Sequence, residues 1–107
     1  MTAADARPSG ATRPPVPTVV RLSGEIDILT GRAIRERLLD ALRHSAGPLV
    51  LDLSEVSFCD ASGLSVLVGV QRRARELGVA LILTAPRPHM SRILRITGLD
   101  RSLPTAA

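Results

Sequence analysis

The sequence predicts an α/β fold, a small sheet with about three helices, and three observations lead there. Apolar, β-branched runs alternate with stretches that are apolar at helical spacing, in the order strand, helix, strand, helix, strand, helix. The breaks between them fall on Gly47-Pro48, Gly78, Pro86 and Pro88, residues that stop regular structure. The 107 residues suffice for one hydrophobic core and not for two. Such alternation favours an open sheet, parallel or mixed, with the helices packed mainly on one face.

Taken in order, residues 1–17 hold four prolines and little apolar surface beyond Val16, the pattern of a disordered Pro/Ala-rich tail. The domain is expected over residues 18–107. Thr18–Leu22 (TVVRL) reads as a strand, and Ser23-Gly24-Glu25-Ile26-Asp27 as a turn bearing two acids. Thr30 is placed to cap a helix running to about Ser45. Its apolar stripe is Ile34, Leu38, Ala41 and Leu42, while Arg32, Arg35, Glu36 and Arg43 face water. Leu49–Leu53 is a strand, and Val56–Cys59 carries the chain to the turn at Ser62. A second helix is expected over about Gly63–Leu77, with Arg72, Arg73 and Arg75 in its last turns and Gly78 as its stop. Val79–Thr84 is an apolar strand, Met90–Ile96 a short helix, and Leu99–Ala107 weakly patterned.

Composition removes several classes of function. All fourteen basic residues are Arg, but ten carboxylates leave a net charge of only +4, and the arginines are spread along the chain. Phe58 is the one aromatic residue, so no base-stacking platform exists and nucleic-acid binding is not expected. A single cysteine, Cys59, excludes an internal disulfide and a paired-cysteine metal site, and its apolar setting marks a buried thiol. His44 and His89 lack ligand company and read as surface residues; no metal or cofactor is expected. No apolar window is long enough to span a membrane and no secretory signal is visible, so the reading is a cytoplasmic protein.

Leu49–Val68 is the most informative stretch. An apolar strand runs into Asp60-Ala61-Ser62-Gly63, and an apolar helix follows. Ser62 therefore falls in a helix's first turn, where unsatisfied N–H groups and the positive dipole end tolerate a phosphate. The same four residues also suit a plain structural turn, with Asp60 as cap and Gly63 permitting close packing. Spacing alone leaves both readings open.

Phe58-Cys59-Asp60-Ala61-Ser62-Gly63-Leu64 resembles the phosphorylation motif of the STAS domain, the family of bacterial anti-sigma factor antagonists and sulfate-transporter C-terminal regions. Leu22-Ser23-Gly24-Glu25-Ile26-Asp27 is similar to that family's Gly-Glu-Ile/Leu-Asp loop, and Leu94-Arg95-Ile96-Thr97-Gly98-Leu99 to its late helix ending. Three blocks in order over about residues 18–104 are specific together. The resemblance implies that Ser62 is phosphorylated by an anti-sigma factor with serine kinase activity. The unphosphorylated domain would bind that factor and free the sigma factor, and a phosphatase would reset the switch. Ala61 replaces the neighbouring hydroxyl, leaving Ser62 as the acceptor in the turn. The partner-binding residues implied are Glu25, Asp27, Asp60, Ala61, Ser62 and Gly63, although Asp27 equally suits a loop carboxylate capping a turn.

An alternative within the fold is a STAS subunit of another assembly, a lipid-transport complex or a stress-sensing scaffold, in which Ser62 stays unmodified. An enzyme is not expected: Ser62 lacks a Gly-x-Ser-x-Gly elbow, no spacing joins it to His44 or His89, and there is no phosphate-binding glycine loop. Of the family's usual final edge strand and helix, Leu99–Pro104 can supply at most a short strand before Ala107, and the first family strand is missing or replaced by the tail. Exposed sheet edges favour a homodimer or a covering partner.

Overall fold

A computed structural model describes residues 16–106; the expected tail lies outside them except for Val16 and Pro17, which are exposed and in no regular element. The chain alternates β1 (Thr18–Ile26), α1 (Gly31–Arg43), β2 (Leu49–Cys59), α2 (Ala61–Leu77), β3 (Leu81–Thr84) and α3 (Pro88–Ile96). A 3₁₀ turn at Leu99–Arg101 and the short β4 (Thr105–Ala106) complete it. The described strands lie in the order β1-β2-β3-β4 and every pairing is parallel. Each crossover therefore steps the same way along the sheet. Since such crossovers are right-handed, this puts the three helices on one face. Leu49, Leu51 and Leu53 of β2 and Leu81 and Leu83 of β3 are buried beneath them, while Val50, Asp52 and Ile82 sit half-exposed on the other face.

The first two strands are longer than the sequence pattern indicates. β1 continues through the segment expected to turn, and β2 is unbroken across Ser54 and Glu55. The reason is register. Arg21 pairs with Asp52 but Ser23 with Glu55, and Gly24 pairs with Val56 but Glu25 with Phe58. β2 thus carries one extra residue at each of two bulges. Its buried positions fall at Leu49, Leu51, Leu53, Val56 and Cys59, so the inward step changes from two residues to three. An alternating pattern is lost there although the strand is not. Gly24 supplies the left-handed backbone, at φ +75°, that the distorted pairing requires.

The helices follow the apolar stripes, with shifted ends. α1 buries Leu38 and Leu42 and stops at Arg43, two residues before Ser45. α2 starts at Ala61 rather than Gly63, because Asp60 caps it by accepting from the Gly63 N–H at 3.0 Å. Gly78 closes it at φ +70°, its N–H reaching Ala74 and Arg75 carbonyls. α3 starts at Pro88 rather than Met90, a residue whose missing N–H suits a first turn. β3 loses Val79 and Ala80 from its expected length. The C-terminal residues, weakly patterned in sequence, are held by tertiary bonds. Leu83 N–H donates to the Pro104 carbonyl at 2.8 Å, the Gln71 amide donates to the Ser102 carbonyl, and Leu103 is buried. Among the described residues no helix is long and apolar enough to cross a membrane.

One contact sets how α2 sits on the sheet. A Cβ built at Gly63 would lie 2.3 Å from the Ile26 carbonyl oxygen and 2.8 Å from Cys59 Sγ, so only glycine fits. By contrast, a Cβ at Gly69 on the same helix meets nothing within 4 Å. Gly63→Ala is therefore expected to destabilise the fold by about 2–3 kcal/mol through forced overpacking against backbone. Gly69→Ala is expected to stabilise it by about 0.5–1 kcal/mol through helix propensity. Urea denaturation of the two variants beside the parent checks both signs.

Candidate functional site

The carboxyl ends of β1 and β2 bring the two sequence blocks together. Asp60 N–H donates to the Ile26 carbonyl at 3.3 Å, and Gly63 rests on the same residue. Glu25 pairs across the sheet with Phe58, and Gly31 at the start of α1 abuts Val66 of α2, 3.1 Å from a Cβ built there. The Glu25–Asp27 and Asp60–Gly63 segments are thus neighbours at one end of the sheet. Chemistry-bearing loops of α/β folds gather at this end.

Ser62 occupies the second position of α2 and is part-exposed. Its hydroxyl has no hydrogen-bond partner among the described residues, whereas Ser65, one turn on, donates to the Ala61 carbonyl at 3.0 Å. Asp60 satisfies the Gly63 N–H with its side chain and the Leu64 N–H with its carbonyl. Among the described residues, the amides of Ala61 and Ser62 remain as the orphan donors of the turn. No acidic residue lies inside that first turn. An unbonded hydroxyl therefore stands beside free N–H groups at the positive end of a 17-residue helix.

Asp27 turns its carboxylate into its own loop. Oδ1 accepts from the Leu29 N–H at 2.9 Å and from the Thr30 N–H at 3.0 Å, and also takes the Thr30 hydroxyl at 3.2 Å. Thr30, expected as the side-chain cap of α1, makes no such cap. Its Oγ1 instead accepts from the Asp27 N–H at 3.0 Å and lies 2.8 Å from the Glu25 carbonyl. The Thr30 hydroxyl is engaged back toward the Glu25–Asp27 segment and so is withdrawn from the first-turn amides of α1 that a cap would accept from, while Asp27 closes the turn just before the helix. These bonds, the Thr30 amide first, hold the Asp27 carboxyl below its ordinary value of 3.8 against the opposing effect of burial. Glu25 is exposed, and its backbone carbonyl lies 2.8 Å from Thr30 Oγ1.

Cys59 is buried at the end of β2, and burial, aided by the Asp60 charge, pushes its thiol up to about 11. Such a thiol is not a nucleophile near neutral pH. His89 departs from the surface position expected of it: it is half-buried, with Nε2 enclosed and unpartnered among the described residues. Arg72, Arg73 and Arg75 are exposed, Arg73 pairing with Glu76 at 2.8 Å. No group of three His, Cys, Asp or Glu capable of holding a metal occurs among the described residues. Sequence reasoning missed Thr30 as Asp27's partner, and it missed Ile28 and Leu29, which stand 78% and 88% exposed between them. The signal was present as an apolar pair outside any stripe.

A family model described as "Mlab, STAS domain" matches residues 9–105. The chain belongs to the STAS domain family. It is 32% identical over 87 residues to an anti-sigma F factor antagonist of Paenibacillus polymyxa, covering 80% of this chain and 74% of that one. An anti-sigma factor antagonist from Mycobacterium paratuberculosis superposes with a TM-score of 0.74 at 32% identity, over 83% of this chain and 75% of its own. The antagonist SpoIIAA in its unphosphorylated form gives 0.70 at 26% identity, over 92% and 85% of the two chains. The phosphorylated form of SpoIIAA from Bacillus gives 0.64 at 26% identity, over 85% and 83%.

The lowered Asp27 value carries a pH dependence. A carboxyl held lower in the folded state than in the unfolded chain stabilises fully above the unfolded value. That contribution is lost as pH falls through the folded one. Asp52, lowered chiefly by Ser54 and then by Arg21, acts in the same sense. Stability is therefore expected to drop below about pH 4, and the drop should be shallower in Asp27→Asn. Denaturation midpoints measured between neutral and acid pH check it.

Proposed function

We propose that this chain is an anti-sigma factor antagonist: it binds an anti-sigma factor when Ser62 is free and releases it when Ser62 is phosphorylated. The observation that carries this reading is the Ser62 hydroxyl, unbonded, at the amino end of α2 and beside the Ile26–Asp27 loop. The relatives named as antagonists, and the neighbour known in unphosphorylated and phosphorylated forms, support it. The partner is an anti-sigma factor with serine kinase activity, a phosphatase reverses the mark, and the exchange takes place in the cytoplasm. The chain is the kinase's substrate and has no catalytic role of its own.

The chemistry is electrostatic. A phosphate adds roughly −1.5 to −2 charges. The orphan amides of Ala61 and Ser62 and the helix dipole take up part of this charge. Across an interface the same dianion, beside Asp60, repels an acidic surface and must be desolvated. Glu25 and Asp60 form the acidic border of the binding face, the small exposed Ala61 lets the partner approach the turn, buried Gly63 seats that turn on β1, and Asp27 shapes the loop beside it. A second reading draws on the family description, which names Mlab: the same face binds an ATPase or scaffold in another assembly and Ser62 is never modified.

Incubation with the cognate anti-sigma kinase and ATP is expected to add one phosphate, absent in Ser62→Ala. Intact-mass measurement checks this, and a phosphate persisting in Ser62→Ala would sink the assignment. In calorimetry, Ser62→Ala should retain affinity for the factor while Ser62→Asp loses at least about tenfold, since facing like charges cost several kcal/mol. Equal affinities would leave the charge switch without support.

A further inference from the structure

We propose that Ile28 and Leu29 form a preorganised apolar anchor that seats in an apolar cleft of the anti-sigma factor, next to the Ser62 contact. The inference rests on the functional reading above and extends it to residues outside both sequence motifs.

Ile28 and Leu29 are the two most exposed of the large apolar side chains among the described residues, at 78% and 88%. Flexible loops often display such residues in passing, but this loop is pinned on both sides of the pair. Asp27 Oδ1 holds the Leu29 and Thr30 amides, and Gly31 N–H returns to the Asp27 carbonyl at 2.8 Å. Thr30 Oγ1 ties the far side of the loop to the Asp27 amide and to the Glu25 carbonyl. The backbone is thus fixed while its two largest side chains stay in water. A fixed apolar pair loses little conformational freedom on docking, which raises affinity.

Its position chooses the occupant. The loop runs between two close contacts with α2, Ile26 on Gly63 before it and Gly31 on Val66 after it. It therefore borders the turn that carries Ser62. Phe58, 47% exposed, lies at the same end of the sheet as Glu25's pairing partner. The exposed Leu77 and Ile96 instead end α2 and α3, which run back to the opposite end. Apolar surface next to Ser62 is continuous with the face the anti-sigma factor must cover to reach that hydroxyl. Anchors of this kind dominate interface energy when an apolar partner surface excludes water around them. The arrangement also joins the anchor to the switch, because seating it brings the Ser62 phosphate into the same water-excluded contact.

The test uses the full chain and its purified cognate anti-sigma factor, with the double variant Ile28→Ser/Leu29→Ser and the control Ile96→Ser. The double variant is expected to melt like the parent and to bind at least about tenfold more weakly, with Ile96→Ser unchanged. Parent-like affinity in the double variant, while the parent binds, overturns the anchor and leaves the antagonist reading intact. Failure of the parent itself to bind overturns both. Changed self-association on sizing columns, with partner affinity unaltered, overturns the anchor in favour of a second copy of this chain. Should the double variant melt lower, Ile28→Thr and Leu29→Gln measured singly decide by the same affinity criterion.

Discussion

At Gly63 the first turn of α2 rests directly on the backbone of β1, with no room for a single methyl group between them. The carbonyl it presses on, that of Ile26, also accepts from Asp60 N–H, so the cap of α2 and the end of β1 share one atom. Immediately beyond Ile26 the chain enters the Asp27–Thr30 loop, and Gly31 then meets α2 a second time at Val66. Helix, strand end and loop are thereby locked as one unit. Two motifs more than thirty residues apart in sequence are halves of that contact. A substituent at Gly63 would push α2 outward and move the Ser62 turn away from the loop beside it.

The sheet end on which this unit stands is shaped by the two bulges in β2. Without them, strict alternation from Leu53 would place Glu55 and Ser57 inward. With them, Val56 and Cys59 fill the core and Glu55, Ser57 and Phe58 face outward. Here lies the limit of what the amino-acid pattern reveals. Leu49–Leu53 is legible as a strand because its alternation is intact, and α1 because Leu38 and Leu42 repeat at helical spacing. The second half of β2 is legible only as an apolar approach to a turn, since its spacing of three imitates neither element. β4 is illegible for another reason: two residues have no period, and Thr105–Ala106 is held by the bond from Leu83 N–H to Pro104 and by buried Leu103.

The candidate site divides along the same line. Asp60 as cap and Ser62 in the first turn were readable because both are local consequences of where a helix begins. The direction of Asp27 was not. Its carboxylate chooses between the loop and open solvent according to Thr30, and a Thr before a helix normally reads as the cap. Ile28 and Leu29 were missed for the opposite reason. Apolar residues are assigned inward by default, and only the fold shows that this loop has no interior to offer them.

These features together decide how a charge at Ser62 would act. Within the domain, a phosphate in the first turn of α2 meets two free amides and a favourable dipole, an interaction of about 0.3–1 kcal/mol at an exposed helix end. Asp60 opposes it from the cap position, so the net effect on folding is small in either direction. Nor does the surrounding framework yield easily, for moving the turn means breaking the contact at Gly63 and the bonds of the Asp27–Thr30 loop. Across an interface the balance differs, because facing like charges cost several kcal/mol and the water that would screen them has been expelled. Under the proposed switch, repulsion across an acidic interface would therefore outweigh anything the phosphate does inside this domain. On the proposed reading, a turn held at Gly63, an apolar pair pinned beside it and a hydroxyl open to a phosphate would make a switch that works by altering what the surface accepts, with the fold beneath it unchanged.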